Sequence, residues 1–297
     1  MLQQMTGYSK INRVYLEIIS SCNFRCLHCF QGDSLDIPNI FTLDQCKAIL
    51  EKFKHEFNSK ELVILGGEPF LHSQLIEILE YAKQLDYAPV KICTNGFGIS
   101  NKLNSIVGLV DELRVSLDGC ESTHDSIRKA GSFVECIKTL ETALDLDVFC
   151  SVTTTVTSQN VGEITDMCKL LLNLGVSKMK LHQIHLDGNA AKNPFLMPSL
   201  EQLNSLGEIF CECKSLGMQL LIDADLTDTG SKMFFSTTDN QSLDRIEIQP
   251  DGRIYLSCKA LGTLHNAFWY NKDLNEIEYQ SVENDEVQEP VHQVQYL

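Results

Sequence analysis

Two kinds of segment alternate along the chain: in one the apolar residues are spaced as in strands, and in the other as in helices. Short runs rich in apolar or β-branched residues predict seven strands, over 14–20, 61–65, 89–94, 112–117, 148–156, 178–184 and 218–224. Apolar residues recur at helical spacing between them, for example over 73–85, 163–175 and 199–216. Strands joined by helical crossovers predict a parallel α/β sheet, either open or barrel-like.

The pattern changes after about residue 226. Two strand-like runs, 245–249 and 253–258, flank Pro250-Asp251-Gly252, which is typical of a hairpin turn. The last ~25 residues are polar and acidic, and we expect them to form a loosely ordered tail. The sequence therefore predicts one domain over 1–226 and a small C-terminal extension with a polar tail over 227–297.

Composition and charge narrow the class of protein. The chain has 297 residues, 43% of them hydrophobic, which is typical of a globular protein. Its net charge of −16 disfavours nucleic acid and anionic membranes as partners. No apolar run is long enough to span a bilayer, and the N-terminus lacks the pattern of a secretory signal. Twelve cysteines are too few for a secreted disulfide scaffold, so we expect a soluble protein of the reducing cytoplasm.

Two groups of cysteines differ in their surroundings. Those that occur singly within apolar patterns are predicted to be small core residues, namely Cys46, Cys93, Cys136, Cys150 and Cys168. Cys22, Cys26 and Cys29 instead lie together directly after the first predicted strand. A 4Fe-4S cluster would take three thiolates and leave one iron open, whereas zinc would need a fourth ligand such as His28. A loop without metal is the third possibility.

A second motif favours the cluster. Gly66-Gly67-Glu68-Pro69 ends the second predicted strand, about 40 residues after the cysteines. Together with the C-x3-C-x2-C spacing, it resembles the radical S-adenosylmethionine (radical SAM) enzymes over roughly residues 10–200. The resemblance implies a partial (β/α)6-type TIM barrel with a small C-terminal β-hairpin extension, similar to the "twitch" extension of the peptide-modifying SPASM/twitch branch.

The resemblance also implies the cofactors. Cys22, Cys26 and Cys29 would hold one 4Fe-4S cluster, and SAM would bind the open iron. One electron from an external donor, such as a flavodoxin or ferredoxin, would split SAM into methionine and a 5′-deoxyadenosyl radical. We expect no auxiliary cluster, because Cys258 is the single cysteine after residue 213.

The resemblance assigns further residues to SAM. His28 occupies a position that the family normally fills with an aromatic residue touching adenine, and Phe30 would assist it. Gly66 and Gly67 would let the backbone approach the methionyl group, whose ammonium Glu68 would bind.

A segment typical of the peptide-modifying branch adds Ser116 and Arg128 as contacts to the SAM carboxylate or ribose. Thr94, Asn95 and Asp118 are candidates that a turn or a helix cap explains equally well.

Later candidates come from the predicted strand ends. Residues 153–155, Asn160 and Gln183 fall where related enzymes line the adenosine and substrate pocket. Strand alternation would place Gln183 and His185 on one face and His182 on the other. Asp223 and Asp225 could be general bases. Cys258 and Cys120 are candidate hydrogen-atom donors, although an ordinary buried thiol is the favoured interpretation of each.

These observations predict an enzyme that cleaves SAM and abstracts a hydrogen atom from a peptide or protein, with cyclisation, epimerisation or dehydrogenation as the outcome. A fused leader-binding domain has no room before the first strand, so a separate leader-peptide recognition protein is a possible partner. One alternative is a radical SAM enzyme acting on a small metabolite. The other is a non-catalytic binding module stabilised by a metal.

Overall fold

Eleven strands form one sheet in the computed structural model, which describes residues 8–222, 242–256 and 267–280. They are β1 (Lys10–Glu17), β2 (Glu61–Leu65), β3 (Val90–Thr94), β4 (Glu112–Ser116), β5 (Cys150–Val156), β6 (Lys178–Gln183), β7 (Gln219–Ile222), β8 (Ser242–Ile248), β9 (Arg253–Tyr255), β10 (Ala267–Asn271) and β11 (Glu276–Gln280). The seven predicted strands correspond to β1–β7. The first begins four residues earlier than predicted, because Lys10 already pairs with β8. It ends three residues earlier, at Glu17.

Helices connect successive strands. They are α1 (Leu43–Phe57), α2 (Leu75–Gln84), α3 (Glu121–Ile127), α4 (Ser132–Asp145), α5 (Ile164–Leu174), α6 (Asn189–Lys192) and α7 (Leu200–Ser215), with 3-10 helices at Gly32–Asp36, Pro69–Leu71, Ser100–Ile106, Val161–Glu163 and Pro194–Leu196. Capping boxes begin α1 at Thr42 and α7 at Ser199, which explains why those helices start there. None of the described helices is both long and apolar enough to cross a membrane.

Strands β1–β7 run parallel, each beside its successor, and this confirms the predicted partial TIM barrel. The sheet is not closed, because the described strands end at β7 on one side and β11 on the other. Apolar side chains on one face of the strands pack against the helices, as Val14, Leu16, Met179 and Leu181 do with no exposed surface. The opposite face is largely polar.

The C-terminal extension continues the same sheet. β8 pairs in parallel with β1, and β9 returns antiparallel to β8, so the predicted hairpin around Pro250-Asp251-Gly252 is confirmed. The prediction of a loose tail was wrong for β11, which pairs with β10 through Glu276–Gln280. Phe268, Tyr270 and Ile277 bury their side chains there, and this apolar burial stabilises the strand pair. The acidic composition of the segment had suggested a tail instead. The predicted domain boundary at 226 lies outside the described residues.

A charge cluster fills the polar face where the parallel strands begin. Glu112 of β4 is 4% exposed, and its carboxylate accepts hydrogen bonds from Arg114 Nε at 3.0 Å and Lys178 Nζ at 2.9 Å. Burial opposes ionisation of Glu112, but the hydrogen bonds from Arg114 and Lys178 outweigh it and lower its pKa to about 2. The carboxylate is therefore ionised throughout the neutral range.

Candidate active site

A cavity of about 320 Å³ opens where the parallel strands end. The loop after β1 forms one wall, and Gly66, Gly67, Thr94 and Asn95 form the next, after β2 and β3. Strands β4, β5, β6 and β8 complete the lining with polar side chains. The carboxyl end of a parallel sheet is the usual place for a site, because the loops meet there.

All three clustered cysteines line this cavity as free thiols. Burial raises the pKa of Cys26 to about 12 and also raises the pKa of Cys22, while Arg128 opposes the shift in both. Arg128 Nη1 lies 4.0 Å from Cys26 Sγ. A metal binds the thiolate form and displaces the thiol proton, so these raised pKa values belong to the metal-free protein. A donor set of three cysteines with one iron position left open fits a 4Fe-4S cluster. His28, the suggested fourth zinc ligand, lines the same cavity, and its Nε2 lies 2.5 Å from Asp118 Oδ2.

The two glycines after β2 allow a close backbone contact. A Cβ on Gly66 would lie 2.6 Å from the Ile19 carbonyl oxygen, and one on Gly67 would collide with the carbonyl oxygens of Ser20 and Ser21. The chain from Ile19 to Ser21 leads directly into the cysteine loop. These glycines therefore position that loop, a role that the sequence interpretation, which invoked room for SAM, did not include.

Glu68 is buried beneath the cavity. Its carboxylate accepts hydrogen bonds from Thr94 Oγ1 at 2.8 Å and from the backbone N–H of Asn95 at 2.8 Å and of Phe70 at 3.1 Å. Burial raises its pKa, against those three hydrogen bonds. Glu68 is not among the described residues that line the cavity, and its contact with the SAM ammonium stays a prediction. Glu68 ties the end of β3 to the loop after β2.

Asp118 is the centre of a buried network next to the cysteines. Its Oδ2 lies 2.5 Å from His28 Nε2 and 2.5 Å from Arg128 Nε, and its Oδ1 accepts the Thr155 N–H at 2.8 Å. Asp118 has no exposed surface, and it is not one of the described cavity-lining residues. A direct contact between Asp118 and SAM stays a prediction, and the structure shows Asp118 bonded to His28 and Arg128, which do line the cavity.

Charge balance keeps this network ionised. Burial alone would raise the pKa of Asp118, but the neighbouring Arg128 and His28 outweigh it and hold that pKa well below its usual range. Burial lowers the pKa of His124 to about 4, so this histidine is neutral near pH 7 and its Nδ1 accepts the Asp118 N–H at 3.0 Å. Arg128 and Asp118 consequently face the cysteine loop as a fixed ion pair.

The remaining predicted residues separate into three groups. Those that line the cavity are Phe30, Thr94, Asn95, Ser116, Thr153, Thr155 and Gln183. Two others, Asn160 and Cys120, are not among the described residues that line the cavity. Asn160 Nδ2 donates to the carbonyls of Asp118 and Thr155, and Cys120 directly precedes α3. Cys258, Asp223 and Asp225 lie outside the described residues.

Two sequence interpretations need correction, one in β3 and one in β6. Cys93 was predicted to be a core residue, but it lines the cavity because strand alternation turns it to the polar face. His182 and His185 were predicted to lie on opposite faces, yet both line the cavity. β6 ends at Gln183, so alternation no longer governs His185.

Six polar strand residues of the cavity wall were missed, namely Tyr15, Glu17, Arg114, Lys180, Arg245 and Glu247. Each lies within a strand, and all but Arg245, which follows the exposed Asp244, alternate with buried apolar neighbours. Polar residues at every second position of a strand whose other positions are apolar would have been the signal. Two of the six come from β8, so the C-terminal extension forms part of the cavity wall.

Comparison with known proteins identifies the family. The sequence model of the Radical SAM superfamily matches residues 16–171, just over half of the chain. The chain belongs to the radical SAM superfamily. Members of this superfamily use a 4Fe-4S cluster and SAM and are enzymes that cleave SAM reductively, so the predicted enzyme class and cofactors are confirmed.

Relatives of this radical SAM chain differ in what they make. Mycofactocin maturase MftC of Mycolicibacterium smegmatis is 27% identical over 195 residues, which are 64% of this chain and 49% of MftC. Pre-heme d1 synthase of Dinoroseobacter shibae is 27% identical over 176 residues, 58% of this chain and 43% of the synthase. The matched region therefore spans less than half of either relative.

A solved structure shares the fold over most of the chain. SuiB of Streptococcus suis bound to S-adenosylmethionine aligns with a TM-score of 0.72 at 16% identity, covering 89% of this chain and 64% of SuiB. Residues 1–226 are only about 76% of the chain. The likeness must therefore include part of the C-terminal extension as well as the barrel.

Proposed function

We propose that this radical SAM enzyme abstracts a hydrogen atom from a peptide or protein and thereby modifies it, by cyclisation, epimerisation or dehydrogenation. The observation that supports it most is the shared fold with SuiB, which extends into the C-terminal strands. SuiB has also been solved bound to its precursor peptide SuiA, and that structure aligns with 88% of this chain at a TM-score of 0.69. The likeness to the maturase MftC points in the same direction.

In this proposal Cys22, Cys26 and Cys29 hold the cluster. When bound, the cluster and SAM supply the one-electron chemistry that generates the hydrogen-abstracting radical. Arg128 places a positive charge 4.0 Å from Cys26 Sγ and offsets the negative charge of three thiolates. One cluster is expected, so iron should approach four atoms per chain, and a value near eight would show an auxiliary cluster.

The polar side chains of β4, β5 and β6 provide the SAM site. Ser116, Thr153 and Gln183 line the cavity beside the cysteine loop, where hydroxyl and amide groups can bind the ribose and amino-acid parts of SAM. Phe30 of the same lining offers a ring for the adenine. An external flavodoxin or ferredoxin would deliver the electron in the cytoplasm, and a separate protein would present a leader peptide.

A small metabolite is the second candidate. Arg114, Lys180 and Arg245 lie in the cavity wall, and such cations suit a substrate with carboxylate or phosphate groups. The likeness to pre-heme d1 synthase fits this alternative. The two candidates differ in what should stimulate SAM cleavage.

The test is 5′-deoxyadenosine release by the anaerobically reconstituted enzyme with SAM and dithionite. Short peptides encoded beside its gene, porphyrin precursors and nucleotides are each added in turn. A peptide should raise the rate and acquire a mass change, or one deuterium in D2O for an epimerisation. The Cys22→Ala variant should do neither. Stimulation by a porphyrin precursor or nucleotide, with no response to any peptide, would overturn the peptide proposal.

A further inference from the structure

The segment after β6 forms hydrogen bonds with the backbone of the cysteine loop. We call residues Gly188–Asn193 the β6 clasp. Asn189 contributes two hydrogen bonds, from its backbone N–H to the Cys29 carbonyl at 2.8 Å and from its side-chain Nδ2 to the Cys26 carbonyl at 3.2 Å. Asn193 Nδ2 donates to the Leu27 carbonyl at 3.2 Å. Three carbonyls of one short loop are thus held by two asparagines about 160 residues away in sequence.

Two glycines make this approach possible. Gly188 has φ 57° and ψ −124°, a conformation that residues with a Cβ rarely adopt. A Cβ on Gly188 would lie 2.5 Å from the Phe30 carbonyl oxygen and 2.7 Å from the Cys29 carbonyl oxygen. A Cβ on Gly32 would lie 2.6 Å from Gly188 Cα. The two chain segments are therefore in direct backbone contact beside Cys29.

The clasp also has its own apolar contacts. Leu27 of the cysteine loop packs against a small cluster formed by Ile184, Ala190 and Leu196, separate from the main core. Asn193 Nδ2 additionally donates to the Asn189 carbonyl at 2.9 Å, which ties the two asparagines to each other. The asparagine contacts with the loop consequently belong to one packed unit.

We propose that the β6 clasp positions Cys26 and Cys29 for cluster binding, with Asn189 and Asn193 as positioning residues. A bound cluster needs its three sulfurs at fixed separations, and a loop of eight residues with few bonds of its own cannot supply that rigidity. The internal hydrogen bonds that involve side chains all lie within Cys22–Arg25. The one backbone–backbone bond within the loop, from the Cys29 N–H to the Cys26 carbonyl, is long at 3.2 Å. The clasp fixes the loop from outside, and it leaves the sulfurs facing the cavity.

The test compares iron retention in reconstituted holoenzymes. The Asn189→Ala/Asn193→Ala variant should lose iron to a ferrous chelator about tenfold faster than the wild type, because it lacks the side-chain hydrogen bonds to the loop. Its reduced-cluster EPR spectrum should also change in g values or linewidth. Lys192→Ala is the matched control: Lys192 lies in the same helix and bonds to Asp33 of the neighbouring segment through an exposed ion pair. It should retain iron as the wild type does.

Apoprotein melting separates positioning from general loss of stability. The proposal predicts faster iron loss and an altered EPR spectrum even at a melting temperature within a few degrees of the wild type. If the double variant does not fold, Asn193→Ala alone should show the same spectral change with a smaller rate effect. Iron loss within twofold of the wild type together with an unchanged EPR spectrum would overturn the proposal. Neither measurement needs a substrate, so failure here leaves the peptide proposal standing.

Discussion

Asp118 shows how one buried carboxylate organises the residues around the cysteines. It has no exposed surface, yet it holds His28 and Arg128, which both line the cavity. The sequence was sufficient to select Asp118, since it ends a predicted strand within a recognisable motif. Its role could not be predicted, because its partner His28 is 90 residues away and strand patterns do not report such contacts.

We expect Asp118→Asn to lower the free energy of unfolding by about 3 kcal/mol, because it leaves the buried Arg128 without its anion. Urea denaturation of the apoprotein measures this loss, and calorimetry of the holoenzyme should show weaker SAM binding. Asp125→Asn is a suitable control, since Asp125 bonds to the backbone at the start of α4. Equal losses in the two variants would mean that the Asp118 network has no special importance.

At the scale of elements, the alternating pattern predicted the barrel strands because each has one apolar face. It failed for β11, where acidic residues alternate with Ile277 and Tyr279, and the charges suggested a tail. Contacts between loops could not be predicted from the sequence either. A Cβ at Gly67 would collide with the Ser20 and Ser21 carbonyls, and this depends on two separate segments meeting in space. Motif resemblance identified these glycines and explained them by room for SAM, but it did not predict this backbone contact.

Gly67→Ala should therefore destabilise the protein by about 3 kcal/mol, because backbone must shift to admit the new methyl group. Gly207→Ala is a control of opposite sign: this glycine lies within α7 with open space around its would-be Cβ, and alanine there should add up to about 1 kcal/mol. Urea midpoints of the two variants on either side of the wild-type value are the expected result. A Gly67→Ala midpoint equal to the wild type would refute the close contact.

At the scale of the whole molecule, the net charge is −16, yet Arg114 and Lys178 lie together on the polar face of the sheet. Glu112 accepts hydrogen bonds from both, and its pKa is lowered from 4.5 to about 2 in the folded protein. A carboxyl whose folded pKa is depressed stabilises the fold above its unfolded pKa. That stabilisation is lost as the pH falls from about 4.5 towards 2.

Glu112→Gln should accordingly cost about 2 kcal/mol at neutral pH, because Arg114 and Lys178 lose their anionic partner. The difference from the wild type should stay constant down to about pH 5 and shrink below it. Chemical denaturation at several pH values measures this. Glu56→Gln, which removes an exposed ion pair with Lys52, should differ little from the wild type at any pH. A Glu112→Gln difference that grows on acidification would contradict the assignment.

We expect SAM to be cleaved reductively in the cavity beside Cys22, Cys26 and Cys29. The most direct measurement is 5′-deoxyadenosine release from SAM under dithionite by the reconstituted protein, beside the variant with all three cysteines replaced by alanine. We predict release by the wild type and none by the variant, which should also lack the cluster absorbance. Equal release by both proteins, or none from a wild type that carries a full cluster and binds SAM with its substrate present, would contradict the claim.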